Sequence, residues 1–340
     1  MLNNVVSRYR PAYRTAEIDF IIGCAKRGES LGFVGMAGIG KSNVVNFLRN
    51  LQNNAPDKGE QASQLHFPIV DAIQWQGKPE HLWQLMLNAL NMATEGLAFS
   101  AKSGKVIPFS DDERLFKILQ EQVQAVCQEL KHQVMFILDD FDRVLETGPL
   151  ALLEQLNVLR SEGNRGFLSY LVFTKRLPHI LGQNHPLENK SKFYDLFRYH
   201  IYALEPYTHD DALRMLDHLN RLAGSGLTFN QLEQIYRLTG GHAGLLKLVF
   251  NVWVEGGAAG VKAKYFADRP EIKQECKRVL GSLHEHEQEV ALRAARGQQT
   301  AQDQDVLDHL WRRGMLTQIS PVSWFSPLMA LFLGSYEGEN

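Results

Sequence analysis

The sequence predicts an α/β protein with a parallel sheet, followed by a helical segment and then by helices that end in a hairpin. Three observations lead to this prediction. Short apolar runs alternate with helical patterns between residues 31 and 204. The run at 134–138 is apolar throughout, as expected for a strand that is covered on both faces. After Glu205-Pro206, helical patterns follow one another with no strand between them.

The first part of the chain is expected to consist of strand–helix–strand units. Apolar runs predict strands at 31–35, 67–70, 134–138, 168–174 and 200–204. Helical periodicity predicts helices at about 44–51, 79–96, 111–130, 150–160 and 193–198. Such alternation implies right-handed crossovers and a parallel sheet.

The remainder of the chain is predicted to be helical until its last hairpin. Helical patterns cover 210–222, 228–238, 244–254, 271–280, 285–295 and 303–312. A glycine-rich linker is expected at 256–260, and residues 314–325 alternate like a hairpin with a turn near Ser320-Pro321. Helices followed by a hairpin predict a winged helix. We therefore expect domains at 1–205, 206–260 and 261–340.

Composition narrows the classes of function. The chain of 340 residues has 36 Lys and Arg against 38 Asp and Glu, a net charge of −2, so it has no overall attraction for nucleic acid or anionic lipid. Its three cysteines form no CxxC pair, which argues against a disulfide framework or a zinc site. Residues 1–13 lack the apolar run of a signal peptide, and no run approaches the roughly 20 apolar residues of a membrane span. We therefore expect a cytoplasmic protein.

A glycine-rich loop between the first strand and the first long helix indicates phosphate binding. The loop matches GxxxxGK[ST] with Gly35, Met36, Ala37, Gly38, Ile39, Gly40, Lys41 and Ser42, and Asn43 follows it. Glycines let backbone N–H groups close around phosphate oxygens, and the helix N-terminus adds favourable partial charge. Lys41 is expected to neutralise the β- and γ-phosphates, and Ser42 to bind Mg²⁺.

Two carboxylates follow the buried run at 134–138. Asp139 is expected to hold Mg²⁺, and Asp140 to orient and deprotonate the attacking water. The alternative is that both side chains only cap the next helix or are solvated. Asp142 is expected to have a structural role.

These motifs resemble the STAND branch of AAA+-like P-loop ATPases, which includes NB-ARC and NACHT proteins and is close to origin-recognition ATPases. The resemblance extends to further segments: Tyr13-Arg14-x-x-Glu17, Leu171 to Arg176, Leu204 to Thr208 and Gly240 to Leu246. It implies a P-loop NTPase core with a helical lid and a C-terminal winged helix, ATP or ADP as ligand, and Mg²⁺ as cofactor.

The resemblance also implies roles for individual residues. Arg14 would lie near the adenine, Thr174 and Arg176 near the γ-phosphate, and Pro206 at the opening of the lid. Arg198 precedes the last strand, where AAA+ proteins place an arginine finger; an exposed structural arginine is the alternative. The sequence departs from the family at two positions, with Ala243 in place of proline and Lys175 in the middle of the sensor triplet.

The resemblance leaves three functions open. The first is an ATPase that acts as a nucleotide-controlled switch, regulates a separately encoded effector or sensor protein, and assembles into a homo-oligomer with nucleotide. The alternative is a DNA-binding ATPase, such as an origin-recognition-like loader or a transposition regulator. Residues 271–340 carry seven basic and ten acidic side chains, which favours a protein partner over nucleic acid. In the third, nucleotide is a structural ligand that is not hydrolysed to a meaningful extent.

Overall fold

The computed structural model of the protein describes seven stretches of the chain. These are residues 14–53, 64–97, 111–161, 163–176, 191–197, 200–256 and 262–336. The chain forms two compact units. The first consists of residues 1–34 and 42–202, and the second of residues 35–41 and 203–340.

The first unit is built around a mostly buried sheet. Its strands are β1 (Leu31–Val34), β2 (Leu65–His66), β3 (Ile69–Asp71), β4 (Gln133–Asp139), β5 (Leu168–Thr174) and β6 (Ile201–Ala203). The strand order is β2-β4-β5-β1-β6. β3 also pairs with β4, closer to the carboxyl end of β4 than β2 does. β4 lies parallel to β2, β3 and β5, and β5 lies parallel to β1. The predicted parallel sheet is therefore confirmed.

The burial of the central strands explains why continuous apolar runs predicted them. Every residue of β1 and β5 is buried, and so are the five central residues of β4. A strand covered on both faces needs apolar side chains at successive positions, whereas a half-exposed strand alternates. Both faces of the sheet are thus covered at β1, β4 and β5.

Seven helices accompany the sheet in the described part of the first unit. They are α1 (Thr15–Arg27), α2 (Lys41–Asn53), α3 (Pro79–Ala93), α4 (Asp111–Gln124), α5 (Asp142–Thr147), α6 (Leu150–Ser161) and α7 (Lys192–Asp195), with a π-helical turn at Ala125–Glu129. Helices α3, α4 and α6 bury leucine, tryptophan and phenylalanine side chains in one apolar core with β4 and β5. Helices α1 and α5 were not predicted.

The second unit is mainly helical. Its helices are α8 (His209–Ala223), α9 (Phe229–Thr239), α10 (Ala243–Gly256), α11 (Ala263–Ala267), α12 (Pro270–Leu280), α13 (Glu285–Ala295), α14 (Gln304–Arg312) and α15 (Pro327–Ser335). The predicted hairpin is confirmed as antiparallel strands β7 (Leu316–Gln318) and β8 (Ser323–Trp324). Helices α11 and α15 were not predicted.

Two predicted elements differ from the structure for identifiable reasons. The single strand expected at 67–70 is two short strands, β2 and β3, separated by Phe67-Pro68, because proline has no N–H to donate to a sheet. The helix expected at 111–130 changes to a π-helical turn after Gln124. Within the described ranges, no helix combines the length and apolar composition that crossing a membrane requires.

Some predictions fall outside the described residues: Tyr13, Arg198 and the linker at 257–260. The division into domains at residues 205 and 260 stays a prediction.

Candidate nucleotide site

The loop Gly35–Lys41 connects β1 to α2 and has a conformation that depends on glycine. Gly38 and Gly40 have φ angles of 74° and 105°, which side chains with a Cβ rarely adopt. A Cβ on Gly40 would lie 2.9 Å from the hydroxyl of Tyr207. Strand β1 ends at Val34 and α2 begins at Lys41, so the sequence forms the strand, loop and helix that the motif requires.

Lys41 lies in the first turn of α2 and is buried. Its Nζ donates hydrogen bonds to the carbonyl oxygens of Gly35 and Met36, at 2.7 and 3.2 Å. The ammonium group is therefore held at the loop by the loop's own backbone. A buried cation attracts an anion strongly, since little solvent screens its charge.

Three side-chain and backbone contacts fix the middle of the loop within the second unit. The imidazole Nε2 of His242 lies 2.8 Å from the carbonyl oxygen of Ala37, and the N–H of Gly244 donates to the carbonyl oxygen of Gly38 at 2.9 Å. The N–H of Ala37 donates to Oγ of Ser282 at 3.4 Å. Residues at the start of α10 and after α12 thus bind consecutive groups of the loop.

The same contacts define the protonation state of His242. The N–H of Leu245 donates to Nδ1 at 3.2 Å, so the proton is on Nε2 and is donated to Ala37. The pKa of this imidazole is lowered to about 4, mainly because burial disfavours the charged form. The hydrogen bond to Ala37 and the charge of Glu275 oppose this shift, while the positive charges of Arg278 and Lys41 contribute to it. His242 is therefore neutral at physiological pH.

Lowering the pH from 6.5 to 5.5 should reduce the free energy of unfolding by about 1 kcal/mol through His242. The imidazole titrates near its ordinary value of 6.5 once unfolded and at about 4 when folded. The unfolded state therefore binds more protons than the folded state across this interval. The contribution of neutral His242 to stability is thus complete above pH 6.5 and is lost as the pH falls towards 4. Urea unfolding at both pH values measures the change. His242→Asn should abolish it; an equal change in both proteins would assign it to another group.

Polar side chains of the first unit lie at the carboxyl edge of the sheet. Register places Asp139 beside Asp71 and Thr174 beside Val34, the residue that precedes the loop. The hydroxyl of Thr174 is buried and has no hydrogen-bond partner in the described structure. Since buried hydroxyl groups are normally paired, this one is available to an oxygen-rich ligand at the sheet edge.

Asp140 has an unusual backbone conformation directly after β4. Its φ angle is 49°, and its N–H donates to Oδ1 of Asp139 at 3.1 Å. Its own Oδ1 lies 3.0 Å from Nζ of Lys175. A left-handed conformation at a non-glycine residue costs of the order of 1 kcal/mol and often marks a functional site. The carboxylate is thus held in place by an ion pair.

Asp142 connects the ends of β4 and β5. Its carboxylate accepts hydrogen bonds from the backbone N–H of Lys175, at 2.9 and 3.1 Å, and of Arg176, at 3.2 Å. The guanidinium of Arg176 pairs with Glu146 on α5 at 3.3 Å. The structural role predicted for Asp142 agrees with these contacts.

The remaining residues predicted to bind nucleotide or Mg²⁺ differ in burial and in contacts. Arg14 precedes α1, has a buried guanidinium and pairs with Glu17 at 2.7 Å. Ser42 is exposed in the first turn of α2, and Asn43 beside it is half-buried. Pro206 packs closely against Gly314, where a Cβ would lie 2.8 Å from Pro206 Cδ.

The donor set at the sheet edge fits a nucleotide-bound magnesium ion. Mg²⁺ prefers oxygen ligands and commonly uses one or two protein side chains together with phosphate oxygens and water. The hydroxyl of Ser42 and the carboxylate of Asp139 are ligands of this kind, and the unpaired hydroxyl of Thr174 suits a phosphate oxygen. Among the described residues, no group of three or more His, Cys, Asp or Glu side chains forms a metal site independent of nucleotide.

Sequence reasoning did not identify Glu275 and Ser282. Glu275 has a detectable signal, because it lies three residues after Ile272 and four before Val279 on the buried face of α12. A charged residue within an apolar stripe predicts a specific partner. Ser282 has no comparable signal, since its contact with Ala37 depends on tertiary structure.

Comparison with known proteins gives matches only at the level of structure. No protein-family model matches the sequence, and a search of curated proteins finds no match. A Walker-type ATPase of Pyrococcus abyssi is 13% identical and superposes with a TM-score of 0.59, covering 94% of this chain and 95% of that chain. The ORC2 protein of Aeropyrum pernix, solved in ADPNP–ADP complexes, is 13% identical with a TM-score of 0.52, covering 96% of each chain.

At 13% sequence identity, these two similarities establish the fold alone. The chain has the parallel-sheet α/β fold of AAA+-like P-loop ATPases.

Proposed function

We propose that this protein binds ATP through the loop Gly35–Ser42 and hydrolyses it with the help of Mg²⁺. The observation that carries the proposal is the loop itself. It follows a buried strand, uses positive φ angles at Gly38 and Gly40, and ends in a helix whose first residue is the buried Lys41. This combination of glycines, helix N-terminus and cation is suited to binding phosphate.

Each residue has a chemical role in this proposal. Lys41 neutralises phosphate charge, while Ser42 and Asp139 hold the magnesium ion, which would polarise the terminal phosphate. Asp140 orients a water molecule and accepts its proton. Thr174 donates its hydroxyl to a phosphate oxygen.

The further predicted ligands retain their proposed roles. Arg14 would contact the adenine and Pro206 would lie at the opening of the lid. Arg176 would have to leave Glu146 to reach a phosphate. ADPNP and ADP in the complexes of the Aeropyrum pernix protein support adenine nucleotides as ligands here.

Asp139→Asn should raise the Mg²⁺ concentration needed for half-maximal ATP hydrolysis by at least about tenfold. The substitution removes a negative ligand while retaining the size of the side chain. Phosphate release measured across a series of Mg²⁺ concentrations gives the value for each protein.

Asp71→Asn is the matched control. Asp71 lies beside Asp139 in the register, but its carboxylate caps the following turn by accepting the N–H of Ile73 at 3.1 Å. This variant should keep the Mg²⁺ dependence of the wild-type protein. An unchanged Mg²⁺ dependence in Asp139→Asn would remove Asp139 from the metal site.

A second candidate function adds DNA binding to ATP hydrolysis. The similarity to the ORC2 protein covers nearly all of both chains and therefore includes the C-terminal helices and hairpin. This favours an origin-recognition-like ATPase with a winged helix over a STAND-type switch that regulates a separate effector. The acidic balance of residues 271–340, with seven basic and ten acidic side chains, is the opposing observation.

Duplex binding by the full chain, measured at several salt concentrations with ATP and ADP, distinguishes these functions. Binding that weakens steeply with salt supports the DNA-binding ATPase, because phosphate contacts release counterions. Absence of binding with either nucleotide, even at low salt, supports a protein partner. Light scattering of the same samples shows whether the triphosphate causes assembly.

A further inference from the structure

A buried carboxylate lies against the phosphate-binding loop. Glu275 on α12 is 7% exposed, and its Oε1 is so close to the backbone of Gly38 and of Gly244 that a Cβ on either glycine would overlap it. Both glycines are therefore needed to accommodate this side chain. An acid is an unexpected neighbour for a loop that is built to attract anions.

The negative charge of Glu275 is paired with a cation on the same helix. Nη2 of Arg278 lies 2.7 Å from Oε1 of Glu275, and it would lie 2.7 Å from a Cβ on Gly38. His242 Nδ1 lies 4.0 Å from the same carboxylate oxygen, but this imidazole is neutral. Arg278 is therefore the partner that offsets the charge of Glu275 at the loop.

The elements that carry these charges also bind the loop backbone. Ser282, just after α12, accepts the N–H of Ala37, while Gly244 and His242, at the start of α10, donate to the carbonyl oxygens of Gly38 and Ala37. Glu275 is buried on an element that is bonded to the loop, because α12 leads directly to Ser282. Its charge acts on whatever the loop binds.

We propose that Glu275 is a specificity-determining residue of the phosphate-binding loop, which disfavours bound nucleotide in proportion to its phosphate charge. The inference rests on the function proposed above. Like charges repel strongly where solvent is excluded, and each further phosphate adds about one negative charge. ATP is therefore disfavoured more than ADP, and Arg278 moderates the repulsion by pairing with Glu275.

Glu275→Gln tests the proposal, because it removes the charge and keeps the shape. We expect the affinity for ATP to rise about tenfold and the affinity for ADP to rise less, so that the preference for ATP over ADP increases. Arg278→Ala should have the opposite effect, about fivefold weaker ATP binding, since it leaves the carboxylate unbalanced. The double variant should bind ATP like Glu275→Gln, because the two residues act through one charge.

The measurement is calorimetric titration of the full chain with ATP and with ADP, with circular dichroism to verify folding. Glu271→Gln and Lys273→Ala, on the same helix, should retain wild-type affinities for both nucleotides. The proposal would be overturned if the ratio of ATP affinity to ADP affinity in Glu275→Gln stayed within twofold of the wild-type ratio. Unchanged ATP binding in Arg278→Ala would also overturn it.

The same titration separates this inference from the proposed function. Nucleotide binding by the wild-type chain that is lost in Lys41→Ala but unchanged in Glu275→Gln would reject the role of Glu275 alone. A wild-type chain that binds neither nucleotide would reject both.

Discussion

Replacing Lys41 with alanine is expected to weaken ATP binding about 100-fold, since a hydrogen bond between charged groups contributes about 1.5–3 kcal/mol and each 1.4 kcal/mol changes affinity tenfold. The ammonium group is already held at the loop by the carbonyl oxygens of Gly35 and Met36. It therefore needs little reorganisation to meet a phosphate. The alanine variant leaves the N–H groups of the loop without this charge.

Calorimetric titration with ATP measures the loss, and Lys247→Ala is the matched control. Lys247 is an exposed lysine on α10 in the same unit, so its removal should not alter the affinity. Circular dichroism confirms that the variants are folded. Equal ATP affinities for the wild-type and Lys41→Ala proteins would show that the loop does not bind the phosphates.

Replacing Arg313 with alanine should lower the free energy of unfolding by about 3–5 kcal/mol. Nη1 of Arg313 lies 3.2 and 3.0 Å from the two carboxylate oxygens of Glu287, and the two side chains are 3% and 6% exposed. Removing the arginine leaves a carboxylate buried without its cation. Glu287 also accepts the N–H of His284 at the start of α13, so the disturbance reaches a helix terminus.

Urea unfolding measures this effect, and Arg312→Ala is the control. Arg312 is the neighbouring residue and is exposed, so its loss should change stability by less than about 0.5 kcal/mol. Replacing Glu287 and Arg313 together with methionine should restore part of the lost stability, because no isolated charge remains. A loss below 1 kcal/mol in Arg313→Ala would contradict the account of this ion pair.

The sequence was most informative where structure depends on local pattern. β4 was predicted at 134–138 and found at Gln133–Asp139, because a strand buried on both faces is continuously apolar. α13 was predicted at 285–295 and found at Glu285–Ala295. α15 was not predicted because it is almost entirely apolar and shows no helical periodicity. Periodicity predicts elements with one buried face and fails for elements that are apolar all round.

The candidate site shows the same division between local and tertiary information. The loop motif predicted Lys41, whose contacts with Gly35 and Met36 lie within the motif. The contacts of Glu275 and Ser282 with the loop join residues more than 200 positions apart, and no spacing rule reveals them. A charge on the apolar face of α12 was the one available signal.

Hydrogen exchange of the backbone amides, measured by mass spectrometry with and without ATP and Mg²⁺, shows which segment of the chain binds the phosphates. We expect nucleotide to slow exchange in the segment 35–42 of the wild-type protein, and we expect this effect to disappear in Lys41→Ala. Nucleotide binding with protection elsewhere, and none in that segment, would contradict the assignment of the loop as the phosphate site.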